Sequence, residues 1–277
     1  MKHLLPALLA LVLLASCGGK KNLTFTIEGQ LENGANKTLY IKDLLPNSEE
    51  PHFVDSIHLD SKGHFTFTYK MPYQSFYNIY VNEVDYVVLL PNGGEKINFT
   101  ANYENITQTY QVQGSPESTL LWQLQNYANE ANAQLQEIVQ LDKKNRIEIC
   151  GSLDKKYWSK QDSVRYRQAK DTTNRMFEEL MGGLQDYISH FIIDNKGSLA
   201  TIIALYKPFN NYPIIDPRYN FDYYEEVLVG LQETIPDNPH TQHFYNVVQK
   251  LRHQFSERQA GDMMLEESPS AEPVAQK

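Results

Sequence analysis

Two cysteines, Cys17 and Cys150, are the residues of this chain best suited to covalent chemistry. A thiolate can attack a disulfide, bind a metal or carry an acyl group, so the surroundings of each cysteine decide its use. We interpret Cys150 as a small buried residue near a predicted helix end. A reactive thiol or an intermolecular linker at Cys150 is the alternative.

Cys17 ends a short apolar run that follows Lys2. A cationic start, an apolar stretch from Leu4 to Leu14 and small residues before the cysteine predict a secretory signal over residues 1–16, too short to span a bilayer as a helix. The sequence Leu14-Ala15-Ser16-Cys17 resembles the lipobox of bacterial lipoproteins. This resemblance implies acyl chains on Cys17, which hold a folded domain on a membrane.

The lipobox resemblance also bears on location. Residues 17–22 are then a lipidated linker, and Cys150 is left without a partner for an internal disulfide. Gly18 and Gly19 occupy the positions where an aspartate signals retention in the inner membrane. By analogy with lipoprotein sorting, we expect attachment to the outer membrane, facing the periplasm.

Histidines near the C-terminal end could offer two imidazoles on one helix face to a metal. His240 and His243 are three residues apart near a predicted helix start, and His253 lies on the same helix. No third ligand follows at a metal-site spacing, so we interpret them as surface histidines and predict no metal and no cofactor. His58 and His64 flank a tight turn and could approach each other across a hairpin, without a carboxylate neighbour.

Other candidate catalytic features have simpler explanations. Asp55-Ser56 pairs an acid with a nucleophile, but a triad needs a base within reach and a suitable turn, and these residues lie in a predicted strand. The adjacent carboxylates Glu178-Glu179 and Glu225-Glu226 diverge on their helices. Gly93-Gly94 lies between two strands, which predicts a hairpin turn and not a phosphate cradle. We therefore predict no catalytic residues and no enzymatic activity.

Tyrosine is abundant, with 18 residues. Rings with a polar tip suit recognition of glycans, peptides or a partner surface, and equally suit the half-buried faces of a small β-domain. We favour the second interpretation and keep glycan binding as an alternative. The clusters are Tyr77, Tyr80 and Tyr86, and Tyr219, Phe221, Tyr223 and Tyr224.

Composition limits the class of partner. The chain has 277 residues and a formal net charge of −9, and no basic run follows the short Lys20-Lys21 pair. A globular chain of this charge does not present the basic footprint of a nucleic-acid binder. We therefore expect no nucleic-acid partner.

Polar and apolar residues alternate from Leu23 to Val112. Alternation with short intervals between turn signals predicts half-buried strands in an antiparallel β-sandwich or barrel-like domain over residues 23–114. The eight predicted strands are Leu23–Gly29, Thr38–Lys42, Phe53–Leu59, His64–Lys70, Phe76–Val81, Tyr86–Leu90, Lys96–Ala101 and Thr109–Gln113.

Helical signals begin at Ser115-Pro116-Glu117, which suit an N-cap, the first helical position and the positive end of the helix dipole. Apolar residues then recur at helical spacing, which predicts an all-helical region over residues 115–260 and an α+β chain. Residues 261–277 offer little to bury and predict a disordered tail. The helices have stripes from Leu120 to Val139 and from Met176 to Phe191, cover Leu199–Leu205, begin near Phe221 and run from about Thr241 to Arg258.

The order of short motifs in the β-rich part carries a second resemblance. The motifs are Ile27-Glu28-Gly29, Thr38-Leu39-Tyr40-Ile41, Val54-Asp55-Ser56-Ile57, Gly63-His64-Phe65 and Leu90-Pro91-Asn92-Gly93-Gly94-Glu95. They resemble the uncharacterised β-rich domain at the N-terminus of many bacterial lipoproteins. That domain commonly precedes a helical segment and then a thioredoxin-like domain of the TlpA/ResA or AhpC/TSA kind.

The chain departs from that pattern in the part that carries chemistry. It contains no Cys-x-x-Cys motif, so the resemblance implies no redox catalysis. We predict a non-catalytic, lipid-anchored envelope protein that acts as a binding or scaffold module, with another envelope protein as its favoured partner. One alternative is an accessory role in a thiol-disulfide pathway, through Cys150 or a separate thioredoxin-like protein. A glycan-binding lipoprotein is the other.

Overall fold

The computed structural model describes residues 23–48 and 50–266, with side chains to residue 256. The predicted signal, the predicted acylation site Cys17 and most of the predicted tail lie outside the described residues. The predicted α+β class is confirmed: a β-rich part comes first and a helical part follows.

Eight strands of the β-rich part form two four-stranded sheets. All eight predicted strands are present, with ends that differ by a few residues. The first sheet has the order β4-β1-β7-β8 and the second has the order β3-β2-β5-β6. The strands are β1 (Thr24–Glu32), β2 (Thr38–Leu44), β3 (His52–His58), β4 (His64–Lys70), β5 (Phe76–Tyr80), β6 (Tyr86–Leu89), β7 (Lys96–Asn102) and β8 (Gln111–Gln113).

One strand pair contradicts the predicted antiparallel arrangement. Strands β1 and β7 are parallel, with Ile27 opposite Ile97. The loop that contains Gly93-Gly94 crosses from β6 in the second sheet to β7 in the first, so the predicted hairpin turn is wrong. The crossing loop is fastened to β1, because Gly94 N–H donates to the Thr24 carbonyl at 2.7 Å. Among the described residues neither sheet closes on itself, so the architecture is a sandwich and not a barrel.

Strand β5 is buried on both faces. Tyr77 and Ile79 point into the core between the two sheets. Phe76 belongs to a second core, which forms between the outer face of the second sheet and the helices. All five residues of β5 are therefore buried, and the molecule has three layers at this point.

The helical part begins at the predicted N-cap. The Ser115 hydroxyl accepts a hydrogen bond from Ser118 N–H, and Pro116 is the first helical residue. Two helices of 35 residues each follow and pack against each other as a hairpin. The helices are α1 (Ile106–Thr109), α2 (Pro116–Cys150), α3 (Lys160–Asp194), α4 (Ala200–Leu205), α5 (Phe221–Thr234) and α6 (Pro239–Glu266).

Two features differ from the predicted helical region. A small hairpin, β9 (Pro208–Phe209) and β10 (Tyr212–Pro213), interrupts it. Its turn residues Asn210 and Asn211 both have positive φ, as a tight hairpin turn requires. Helix α6 continues past Arg258 to Glu266, into residues assigned to the tail. None of the helices within residues 23–48 and 50–266 combines the length and the apolar character that crossing a membrane requires.

Candidate functional site

A cavity of about 890 Å³ lies between the outer face of the second sheet and the helices. This volume is within the range of about 300 to 1,000 Å³ that small-molecule sites occupy. Among the described residues, no aspartate or glutamate lines it, although the chain as a whole is acidic. Apolar side chains form much of the wall, among them Val88, Leu121, Leu124, Ile202, Ile203 and Phe244.

Asn78 places an unpaired polar atom in this wall. Its side chain projects from the helix-facing side of β5 and is only 5% exposed. The Nδ2 amide donates to the Tyr80 hydroxyl at 3.3 Å. The Oδ1 atom has no hydrogen-bond partner within the described part of the chain. The oxygen atom itself is closed off from solvent, so the side chain lines the cavity without offering this acceptor to it.

Lys207 contributes a half-buried cation to the same cavity. It follows α4 closely, and its ammonium donates to Gln125 Oε1 at 2.8 Å. Burial lowers the pKa of Lys207 below its usual value. Within the described residues its ammonium forms no ion pair with a carboxylate. Among the described residues, no neighbouring anion therefore neutralises the charge of Lys207.

A relay of amides fixes the orientation of Gln125. Gln125 Nε2 donates to Asn129 Oδ1 at 2.9 Å, and Asn129 Nδ2 donates to the Thr107 carbonyl at 3.2 Å. Because each amide nitrogen is used as a donor, the oxygen of Gln125 must face Lys207. The position of the Lys207 ammonium is set before any ligand arrives.

A buried cluster of Asp43, Ser75 and His240 lies behind the end of the cavity near α6, and of the three only His240 lines the cavity. Ser75 Oγ donates to Asp43 Oδ1 at 2.5 Å and lies 2.9 Å from His240 Nε2. Burial lowers the pKa of His240 to about 4, and the nearby His243 adds to the effect. Burial raises the pKa of Asp43, against the opposing effects of the Ser75 hydrogen bond and of His52.

This cluster has the residue types of a hydrolytic triad, but its hydrogen bonds run in the wrong direction for one. In a triad the histidine accepts the serine proton. Here the single hydroxyl hydrogen of Ser75 goes to Asp43, so the neutral His240 ring donates from Nε2. Ser75 is also fully buried. The cluster therefore joins β2 and β5 to α6 and leaves Ser75 out of reach of a substrate.

The predicted surface position of His240 is wrong, because the ring packs against Phe76 and is buried. His243 is half-buried, and its Nδ1 lies 2.7 Å from Asn47 Oδ1. His253 is exposed, as predicted. Within the described residues, no group of three or more histidine, cysteine, aspartate or glutamate side chains is arranged to hold a metal.

Cys150 is the last residue of α2 and is buried. Its thiol donates weakly to the Asp162 carbonyl at 3.8 Å. Desolvation raises the pKa of the thiol, and Asp162 adds to this effect against the opposing charge of Arg165. A raised pKa disfavours the thiolate, which is the reactive form.

The other sequence-predicted candidates lie apart from the cavity. Asp55 and Ser56 are exposed on β3, and Asp55 Oδ1 accepts from Ser56 N–H at 2.8 Å. His64 does have a carboxylate neighbour, since its Nδ1 is 3.2 Å from Asp60 Oδ2, which corrects the prediction. Glu225 and Glu226 diverge as predicted, pairing with Arg252 and Lys196 respectively. Glu178 and Glu179 are both exposed.

The structure separates the two tyrosine clusters into buried and exposed rings. Tyr77 and Tyr224 are fully buried core residues, whereas Tyr219 is 81% exposed. Tyr80 and Tyr86 stack with ring centroids 4.7 Å apart and line the cavity. Of the residues in these two clusters, only Tyr80 and Tyr86 are placed to contact a molecule in the cavity.

Residues 25–121 match a family described as a domain of unknown function, DUF4369. The match covers the sandwich and the first turns of α2, so it includes Asn78 and the Asp43–Ser75 pair but neither Lys207 nor His240. It agrees with the expectation of an uncharacterised N-terminal domain. No curated protein and no solved structure matches the chain.

Proposed function

We propose that the protein is a non-catalytic, lipid-anchored binding protein of the bacterial envelope, with the cavity as its binding site. The cavity itself carries the proposal, because it is lined largely by apolar side chains and also contains the half-buried ammonium of Lys207, held by Gln125 Oε1. A concave site of this size and polarity suits a small molecule with an apolar body and a polar group.

The arrangement of the polar residues favours binding over catalysis. Ser75 is fully buried and hydrogen-bonded to Asp43, and the ring of His240 is held against Phe76. A general base must reach the proton that it abstracts from a nucleophile or a substrate. The ammonium of Lys207, held by Gln125, is instead suited to hold and orient a ligand in the cavity.

A neutral apolar dye tests the cavity without assuming a charge on the ligand. We expect N-phenylnaphthylamine to bind the purified protein and to gain fluorescence as it leaves water. Ile203→Trp should reduce this gain, because the larger ring occupies part of the cavity beside α4. Val164→Trp is the control, since Val164 is exposed on α3 far along the chain from the cavity walls. A dye signal that is absent in the wild type, or unchanged in Ile203→Trp, contradicts the proposal.

The anchor of the proposed protein is Cys17. Its support is the Leu14-Ala15-Ser16-Cys17 pattern, and Gly18 and Gly19 favour the outer membrane. We expect Cys17→Ala to lose acyl labelling, membrane fractionation and signal cleavage. Acyl labelling of the Cys17→Ala protein at the wild-type level would overturn the lipid anchor.

A partner protein in the envelope is the second part of the proposal, and crosslinking in intact envelopes tests it. The alternative role in a thiol-disulfide pathway depends on Cys150. The raised pKa of its thiol argues against that role. Fast modification of Cys150 by a thiol reagent in the folded protein would support the redox alternative, and slow modification supports the binding function.

A further inference from the structure

We propose that the ligand of the cavity is an acidic amphiphile, whose apolar body lies among the aliphatic side chains and whose anionic head group pairs with Lys207. This inference rests on the proposed binding function and specifies the chemistry of its ligand. It makes Lys207 and Gln125 the residues that recognise the head group of the molecule.

The first step of the argument is the unbalanced charge. An ammonium group has three hydrogens to donate, and among the described residues only Gln125 accepts one from Lys207. Partial burial of a cation without a neighbouring anion is unfavourable, and a ligand that supplies the anion offsets that cost. A carboxylate or a phosphate monoester provides both the charge and the acceptors.

The second step is electrostatic selection by the rest of the wall. No carboxylate among the described residues lines the cavity to compete for Lys207 or to repel an anion. His240 and His243 also line it, and neither brings a negative charge. A cationic ligand would find no counter-charge in this wall and would meet the Lys207 ammonium.

The third step is shape and polarity away from the head group. Val88, Leu124, Ile203 and Phe244 offer an apolar surface that a polar metabolite would leave unmatched. Burial of an alkyl chain there is favourable because its apolar surface leaves water.

The test compares ligands that share one alkyl chain and differ in the head group. Binding of dodecanoate, dodecyl phosphate, dodecanol and dodecyltrimethylammonium is measured below micelle-forming concentrations by displacement of the neutral dye and by calorimetry. A charge-assisted hydrogen bond contributes about 1.5 to 3 kcal/mol, so at least one acid should bind about tenfold or more tightly than dodecanol.

Lys207→Met should abolish the preference for the acid while dodecanol binding remains. Retained dodecanol binding also shows that the variant cavity is intact. Lys207→Arg keeps the charge and should keep the preference for the acid. Lys62→Met is the matched control, since Lys62 is exposed in the β3–β4 turn.

The outcomes separate the two proposals. If the dye and dodecanol bind but neither acid is preferred, or if Lys207→Met keeps the preference, the acidic head group is wrong and the binding function stands. If dodecyltrimethylammonium binds best, the inference is likewise overturned. If the dye and all four amphiphiles fail to bind, both the inference and the proposed function fail.

Discussion

Buried polar side chains are concentrated where the second sheet meets the helices. Asp43, Ser75, Asn78 and His240 are all buried at this boundary. A buried polar side chain either forms a hydrogen bond or stays desolvated without one. None of the four therefore stabilises the fold as much as an apolar residue of similar size would. Hydrogen bonds pair Asp43, Ser75 and His240, whereas the oxygen of Asn78 is unpaired, as are the Tyr77 and Thr241 hydroxyls among the described residues.

His240 should make the stability of the protein depend on pH. Its folded-state pKa of about 4 lies below its ordinary value of 6.5, because burial disfavours the charged ring. Between these values the unfolded chain binds a proton that the folded chain does not. The free energy of unfolding should therefore fall as pH drops from about 6.5 to about 4, by up to about 3 kcal/mol from this group.

Urea unfolding at several pH values checks the His240 prediction. His240→Gln should remove most of this dependence relative to the wild type. The pKa of Asp43 is raised, so this group lowers the stability of the protein as pH rises, which is opposite to the effect of His240. The wild type and His240→Gln both contain Asp43, so the difference between them isolates His240. His58→Gln on the exposed face of β3 serves as the control. An unchanged pH dependence in His240→Gln would show that the ring does not stay neutral.

Asn78→Leu should raise the stability of the protein and leave dye binding in place. The substitution replaces an unpaired buried acceptor with an apolar side chain of similar size, which should increase the free energy of unfolding by about 1 kcal/mol. It also loses the 3.3 Å hydrogen bond to Tyr80. Chemical denaturation and dye binding measure the two effects. Asn98→Leu, on an exposed position of β7, is the control, and a large loss of stability in Asn78→Leu would contradict the role assigned to its oxygen.

At the scale of elements, local patterns were the reliable guide. The alternating residues of β4 give its bounds correctly at His64–Lys70. Strand β5 lacks alternation because both faces are buried, and its aromatic and β-branched content identifies it instead. The parallel pairing of β1 with β7 has no local signal, since the partner strand lies far along the chain.

The burial of His240 does have a signal in the sequence. His240, Phe244 and Val248 recur every four residues on α6, and all three are buried. This spacing places the histidine on the apolar face of the helix. Likewise, Asn210-Asn211 between Phe209 and Tyr212 is a recognisable tight-turn pair that marks the small hairpin.

The junction between β6 and α2 depends on Ser118. Its buried hydroxyl oxygen accepts from Leu90 N–H at 3.0 Å and from the Ser115 hydroxyl at 2.8 Å. Ser118→Ala would leave the Leu90 amide buried and unpaired, so we expect a loss of about 1 to 3 kcal/mol in the free energy of unfolding. Urea denaturation measures it against Ser256→Ala, an exposed control. A loss no greater than that of the control would mean that the junction relaxes to another partner.

At the scale of the whole molecule, the candidate site is assembled from distant parts of the chain. Asn78 lies on β5, Gln125 on α2, Lys207 after α4 and His240 on α6. No spacing rule links these positions, so the sequence could predict the elements but not the cavity. Of the four residues, only the polar Asn78 within the otherwise apolar and aromatic strand Phe76–Tyr80 is unusual in its local context.

The α2–α3 hairpin changes character along its length. A helix of 35 residues is about 50 Å long, and the apolar core of the body reaches only as far as Ile138 and Leu180. Beyond that point a polar network joins the two helices. Tyr166 donates to Asp142 at 2.5 Å, and Asp142 pairs with Arg146 at 2.8 Å and with Lys170 at 3.4 Å.

Asp142 is the centre of this network. Partial burial raises the pKa of its carboxyl, but the hydrogen bond from Tyr166 and the charges of Lys170 and Arg146 outweigh that effect, so the pKa lies below its usual value. The ionised form is therefore the one that holds the far half of the hairpin together. Its loss should act locally, because elements with few buried apolar contacts open independently of the body.

Asp142→Asn should loosen the far half of the hairpin and leave the sandwich intact. Charge-assisted hydrogen bonds contribute about 1.5 to 3 kcal/mol, so amide exchange of residues 142–170 should accelerate about tenfold or more. Exchange in β1 and β2 should not change. Hydrogen exchange with mass spectrometry resolves the two regions, and Asp186→Asn, exposed on the body half of α3, is the control. Equal acceleration in the sandwich and in the hairpin would show instead that the molecule unfolds as one cooperative unit.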